Sequence, residues 1–272
     1  MASFTVLGAA GFIGSNLVRW LLSQGFSCWA PGRAEDVLGR PLGHVIYCIG
    51  LTADFRERPY DTVRAHVCRL LDILEKADFA SLLYLSTTRI YRDAATTRED
   101  GPFPVNPLET DDLYNISKIM GESLCLASGR ANVRIARLSN VYGSDFSADN
   151  FLSYVIREAV KTQKVILQSA MASEKDYVHI DDVVRLLPRI SLSGRHKVYN
   201  VASGVNTTNS AVMEVIRDAT GCAVEAAEGS TTAVFPAIRI DRIRSEFGFA
   251  PSLILDSLGG IIAEYRREAG AR

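Results

Sequence analysis

Gly8-Ala9-Ala10-Gly11-Phe12-Ile13-Gly14 is the stretch that decides the fold. It follows an apolar run, Phe4 to Leu7, and opens a helical pattern from Phe12 to Ser23. Glycines between a strand and a helix are the context of a dinucleotide-binding turn. One glycine makes the turn, one lets backbone approach a pyrophosphate, and one allows the helix to pack close on the strand. The helix N-terminus supplies amide donors and the positive end of its dipole. Gly8, Gly11, Phe12, Ile13 and Gly14 are therefore expected to bind cofactor.

Working outward, Ser27 to Ala30, Val45 to Ile49, Ser81 to Leu85 and Val133 to Leu138 read as further buried strands. Helical patterns cover Asp61 to Lys76 and Asp111 to Leu126. Such alternation predicts an α/β fold, a doubly wound parallel (Rossmann) sheet covered on both faces. Only about ten residues separate Arg33 from His44, tight for a parallel crossover. A strand or helix on that side is expected to be shortened or missing. Beyond Gly143 come helices at Asp149 to Lys161, Ser210 to Ala219 and Leu253 to Arg266, with strands at Val165 to Leu167, Asp176 to Ile180 and Val198 to Val201. Asp181 is a candidate cap for a helix through Leu187. The expected division is a dinucleotide-binding domain, 1–143 plus about 177–201, and a smaller, mostly helical substrate region, 144–176 plus 202–272.

The 272 residues are 47% hydrophobic and 22% charged, normal for a soluble chain with a full core. A net charge of −1 gives no electrostatic footprint for nucleic acid or an anionic membrane. There is no run of 18 apolar residues and no signal-peptide pattern. The five cysteines form no Cys-x-x-Cys pair, which argues against a disulfide framework or a zinc site and for a cytoplasmic location.

Tyr114-Asn115-Ile116-Ser117-Lys118 places a phenol and an ammonium one turn apart on a helix face. A neighbouring ammonium favours the phenolate, so the tyrosine can exchange a proton with a substrate hydroxyl or carbonyl. Ser86-Thr87-Thr88 ends an apolar run upstream and adds hydroxyl donors. These are the parts of a hydride-transfer site, and metal ligation is not expected.

The glycine spacing is Gly-x-x-Gly-x-x-Gly. With Leu85-Ser86-Thr87-Thr88-Arg89-Ile90-Tyr91, Tyr114 to Lys118 followed by Gly121-Glu122, and Arg137 to Gly143, the chain resembles the extended short-chain dehydrogenase/reductase family. That group contains sugar-nucleotide epimerases, dehydratases and ketoreductases. The likeness continues through Asp176 to Val184, Tyr199 to Gly204 and Phe247 to Pro251, nearly the full length. It implies Thr87 as the catalytic hydroxyl, four residues before Tyr91, with Tyr114 as general acid/base. Lys118 would lower the Tyr114 pKa and bind the nicotinamide ribose. The backbone at Cys48 and Gly50 would line the cofactor.

Arg33 follows the second strand where an acid would bind the ribose of NAD, and a guanidinium suits the 2′-phosphate of NADP. NADP is the preferred cofactor, with NAD the alternative. Substrate contacts fall to Thr87, Thr88, Asn140, Lys175 and Arg239, the partner implied being a nucleotide-diphosphate sugar. The family's 4,6-dehydratases carry Asp-Glu after the catalytic threonine, where this chain has Thr88-Arg89. The first expectation is thus a 4-keto reductase, the second an NAD-dependent sugar-nucleotide epimerase. A non-catalytic dinucleotide sensor or scaffold is the rival from another class, and the intact Thr87/Tyr114/Lys118 set weighs against it. Arg92 is expected to face solvent, and His179 to be structural. His44, His66 and His196 carry no functional signal. The resemblance implies a homodimer through the helices at Asp61 to Lys76 and Asp111 to Leu126.

Overall fold

Six apolar segments line up side by side as β1 (Ser3–Leu7), β2 (Ser27–Trp29), β3 (His44–Tyr47), β4 (Ser81–Thr87), β5 (Val133–Leu138) and a late strand, β9 (Val198–Val201). They form one parallel sheet in the order β2-β1-β3-β4-β5-β9. The computed structural model describes residues 2–52, 54–144, 146 and 150–270. Near-continuous burial along β3, β4 and β5 is what a sheet covered on both faces requires.

Two apolar layers flank the sheet. Leu17 and Leu21 of α1 (Phe12–Ser23) and Leu186, Leu187 and Ile190 of α6 (Ile180–Ser193) pack on one face. On the other, Leu70, Ile73 and Leu74 of α3 (Arg69–Lys76) pack with Cys125 of α4 (Asp112–Ala127). Ahead of α3 the chain runs through α2 (Pro59–Val63) and a π-helical turn, Arg64–Cys68.

The tight stretch after Arg33 contains no helix. The chain crosses from β2 over β1 to β3 as a loop, and β2 is three residues long. Val37 and Leu42 of that loop are 1% exposed and join the α3 layer, taking the place of a crossover helix.

A third apolar cluster gathers α5 (Phe151–Lys161), α7 (Asn209–Thr220) and α9 (Ile254–Gly270) with β7 (Lys164–Leu167), which pairs in parallel with β11 (Ala223–Ala226). Asp149, expected to open α5, lies outside the described residues; the cap is Asn150, which accepts from Ser153 N. A three-stranded sheet, β10 (Asn206–Thr208), β8 (Glu174–His179) and β6 (Asn140–Tyr142), stands between the two parts. The buried Asp176 carboxylate accepts from Ser203 N and Oγ, Gly204 N and Val205 N, tying β8 to the chain leaving β9. The cap of α6 is His179, whose Nδ1 accepts from Asp181 N; Asp181 stands in the first turn instead. The last short helix, α8 (Asp241–Phe247), puts Ile243 and Phe247 into the α1/α6 layer.

Candidate active site

The glycine turn is built by close approaches. Gly8 has φ +87°, and a side chain there would start 2.8 Å from the backbone of Cys48 and Ile49. A Cβ on Gly14 would lie 2.3 Å from the Gly8 carbonyl oxygen. Gly11 differs: a Cβ there would meet nothing nearer than 3.6 Å. Gly11 is the cap position just before α1, which has neither a side-chain cap nor an acidic residue in its first turn. Open backbone amides, no competing carboxylate and a cradle that a Cβ would fill together fit a dinucleotide pyrophosphate. Arg33 is exposed in the loop after β2, with no ion pair among the described residues.

Thr87 ends β4 and Tyr114 lies in the first turn of α4. The Thr87 hydroxyl stands close enough to the Tyr114 phenol to lower its pKa. Thr87 Oγ1 accepts from Arg89 N at 3.1 Å, which fixes its rotamer. One turn on, Lys118 Nζ donates to Leu85 O at 2.9 Å and stands 5.1 Å from the centroid of the Tyr84 ring. A side chain on Gly50 would start 3.4 Å from that ammonium. The ends of β1, β3 and β4 and the start of α4 thus converge, bringing Gly8, Gly50, Thr87, Tyr114 and Lys118 together.

Burial pushes the Tyr114 phenol above its ordinary value, while the Thr87 hydroxyl and the Arg89 guanidinium pull it down. The groups that oppose burial are therefore Thr87 and Arg89, where Lys118 was expected. Burial pushes Lys118 down to about 8, against an upward pull from Glu122 and Cys48. Cys48 is pushed up to about 12, first by burial, so its thiol keeps its proton at neutral pH.

His66, in the π-helical turn, completes the floor. It is fully buried and 5.3 Å from Tyr114, ring to ring and nearly edge-on. Leu51 N donates to its Nε2 at 3.2 Å, and its Nδ1 lies 2.8 Å from Ser117 Oγ, which donates to Tyr114 O. An amide on Nε2 makes Nδ1 the protonated nitrogen. Burial, then Lys118, pushes its pKa down to about 2, so it is neutral. One histidine inside a helix gives no sequence signal of such a role.

Below the site, Arg137 of β5 meets Glu122 of α4 at 2.6 Å, both almost wholly buried. Ser86 donates to the same carboxylate, and Arg137 also donates to Tyr91 OH. That pair explains why Glu122 and Arg137 accompany the Tyr/Lys helix.

Of the expected substrate contacts, Thr88 is buried. Asn140 donates from Nδ2 to Asp176 O at 2.8 Å, stitching β6 to β8. Lys175 stands 5.1 Å from the Phe151 ring centroid, pushed down by burial and then by Arg89. Arg239 is half-exposed and pairs with Asp241 at 2.7 Å, so its described partners do not place it beside Thr87 or Tyr114. Arg92 is half-exposed beside Asp93. Among the described residues no group of three His, Cys, Asp or Glu side chains could hold a metal ion, and no helix is long and apolar enough to cross a membrane.

A Rossmann sheet with a glycine turn and a Thr/Tyr/Lys cluster defines a nicotinamide-dependent enzyme of the short-chain type. The chain belongs to the NAD dependent epimerase/dehydratase family, whose model matches residues 35–202. A dTDP-glucose 4,6-dehydratase of Streptomyces griseus is 28% identical over 96% of this chain and 93% of its own. A dTDP-4-dehydro-6-deoxy-D-allose reductase of a Streptomyces species is 25% identical over 72% of this chain and 74% of its own. DesIV, a dTDP-glucose 4,6-dehydratase from Streptomyces venezuelae solved with NAD and TYD, superposes with a TM-score of 0.84 at 20% identity, over 98% of each chain.

Proposed function

We propose that this enzyme acts on a nucleotide-diphosphate sugar, and that it is a 4-keto reductase using NADPH. The observation that carries the reading is the buried Tyr114 phenol beside Thr87, one helical turn from the buried Lys118, with burial pushing the phenol up. A tyrosine protonated at neutral pH is the form that gives a proton to a carbonyl oxygen. The reductase relative supports the same direction. Arg89 stands where the resemblance calls for a dehydratase acid, so the proton transfer that removes water has no carboxylate at that position.

In this reading Thr87 donates to the substrate carbonyl oxygen and holds it against Tyr114, whose phenol delivers the proton. The backbone from Gly8 to Gly14 and the first turn of α1 hold the dinucleotide phosphates. Gly50 and Lys118 face the nicotinamide half, and Arg33 takes the 2′-phosphate. Bound there, the nicotinamide supplies the hydride. The part built on α5, α7 and α9 carries the nucleotide of the substrate, with Asn140, Lys175 and Arg239 as its polar contacts. Exposed Tyr60 and Leu71 along α2 and α3, and Met120 and Leu126 on α4, form the face through which two copies pair.

The test is a titration of purified protein with NADPH and NADH by nicotinamide fluorescence, after an absorbance scan for retained cofactor. NADPH preference lost in Arg33→Ala, with turnover of a 4-keto sugar nucleotide falling about 100-fold or more in Tyr114→Phe, is the expected result. Retained, non-exchanging NAD would replace the reductase by an epimerase, which uses the same three residues. Unchanged turnover in Tyr114→Phe would overturn the catalytic assignment.

A further inference from the structure

The Arg89 guanidinium is largely buried beside the catalytic pair, and among the described residues it makes no hydrogen bond. Its side chain is 27% exposed and lies 5.7 Å from the Tyr114 ring centroid and 5.2 Å from that of Phe55. Among the described residues, the carboxylate paired with it is Asp111, at 3.8 Å. That carboxylate is already engaged: Arg56 Nε and Nη2 donate to its two oxygens at 2.6 Å each. Among the described residues, Arg89 is therefore left with its fork of five donors and no acceptor within hydrogen-bond reach.

The local charge balance points the same way. Arg56, Arg89 and Arg92 all act on the single Asp111 carboxylate, and Lys175 feels Arg89 as a like charge. Leaving a largely desolvated guanidinium without a hydrogen-bond acceptor, with only a long shared ion pair to Asp111, is costly. A planar anion offering two oxygens would satisfy it bidentately.

The position selects which anion. Arg89 N is bonded to Thr87 Oγ1, so the residue is two positions from the hydroxyl that holds the reacting oxygen. On a hexose whose C4 oxygen sits between Thr87 and Tyr114, the flanking groups are the C3 hydroxyl and the C6 group on C5, of which only C6 can be a carboxylate, whereas the diphosphate is carried on C1 across the ring. We propose that Arg89 is a specificity-determining residue that receives the C6 carboxylate of the reacting sugar, so that the substrate is a nucleotide-diphosphate uronic acid or its 4-keto form. This rests on the nucleotide-sugar reading above and adds the charge of the sugar to it.

The cofactor-loaded enzyme should be titrated calorimetrically with matched pairs: UDP-glucuronic acid against UDP-glucose, and the thymidine diphosphate counterparts of each. The uronic acid is expected to bind about tenfold or more tightly than its neutral partner in at least one pair. That ratio should fall to near one in Arg89→Gln and be partly kept in Arg89→Lys. Because Arg89 packs on Phe55, NADPH affinity is measured alongside as a check that each variant is folded. Equal binding of the two members of both pairs, or a preference that survives Arg89→Gln, overturns the carboxylate assignment and leaves the nucleotide-sugar reading standing. Binding of cofactor with no binding of any of the four sugars overturns both.

Discussion

Gly11 and Gly14 are glycines for different reasons. At position 14 the protein forbids a side chain, because a Cβ would collide with the Gly8 carbonyl 2.3 Å away. At position 11 the protein would accept one, and in the proposed reading that space holds the cofactor's pyrophosphate. Gly14→Ala is expected to lower the unfolding free energy by ~2 kcal/mol or more through overpacking. Gly11→Ala should stay within about 1 kcal/mol of the parent in a urea melt, yet weaken NADPH binding at least about tenfold by filling the pyrophosphate cradle. A Gly11→Ala protein that binds cofactor normally would remove that residue from the site. The three glycines were visible in the sequence, but which of them the fold itself needs depends on where β3 passes, and spacing does not report that.

At the scale of elements, the π-helical turn between α2 and α3 delivers His66 to the underside of α4 and to the end of β3. Its neutral ring joins Leu51 N to Ser117, and Ser117 to the Tyr114 carbonyl. A folded pKa near 2 against an ordinary 6.5 means the unfolded chain takes up a proton that the folded one refuses. The contribution of this group is therefore complete above pH 6.5. Below it the group costs up to ~1.4 kcal/mol for each further pH unit. In paired pH melts His66→Gln should show a shallower loss of stability between about pH 6 and 4; parallel curves would contradict the burial argument.

This connection shows why part of the site was legible and part was not. The glycine turn and the Tyr114/Lys118 pair are local patterns on single elements, read from spacing, and the family resemblance singles out Thr87 from Ser86 and Thr88. His66 and Arg89 act across elements, through the order β1-β3-β4 and the bend of a π turn, and no spacing encodes either. The missing crossover helix was legible because too little chain lay between Arg33 and His44. That Val37 and Leu42 would fill its place was not, since two apolar residues in a loop carry no period. Asp181 looked like a cap because acids favour that position, yet the acceptor is the ring of His179, two residues earlier.

On the scale of the whole molecule, exposed apolar residues are spread over several surfaces, and four of them lie on α2, α3 and α4. Tyr60 is 78% exposed, Leu71 47% and Met120 49%. A pair of copies joined there would bury them together. Sedimentation is expected to give a mass twice that of the chain, and Leu71→Asp combined with Met120→Asp to return it to one. A parent protein that sediments as a single chain would reject the face. The main sheet offers no competing route. At one end β2 is three residues long and runs into Pro31, which has no amide hydrogen to offer a neighbour. At the other, Arg242 of α8 donates to the Val198 carbonyl at 2.8 Å and the helix covers β9. Edge-to-edge stacking into fibrils therefore finds only a three-residue strand at one side of the folded sheet and a strand covered by α8 at the other.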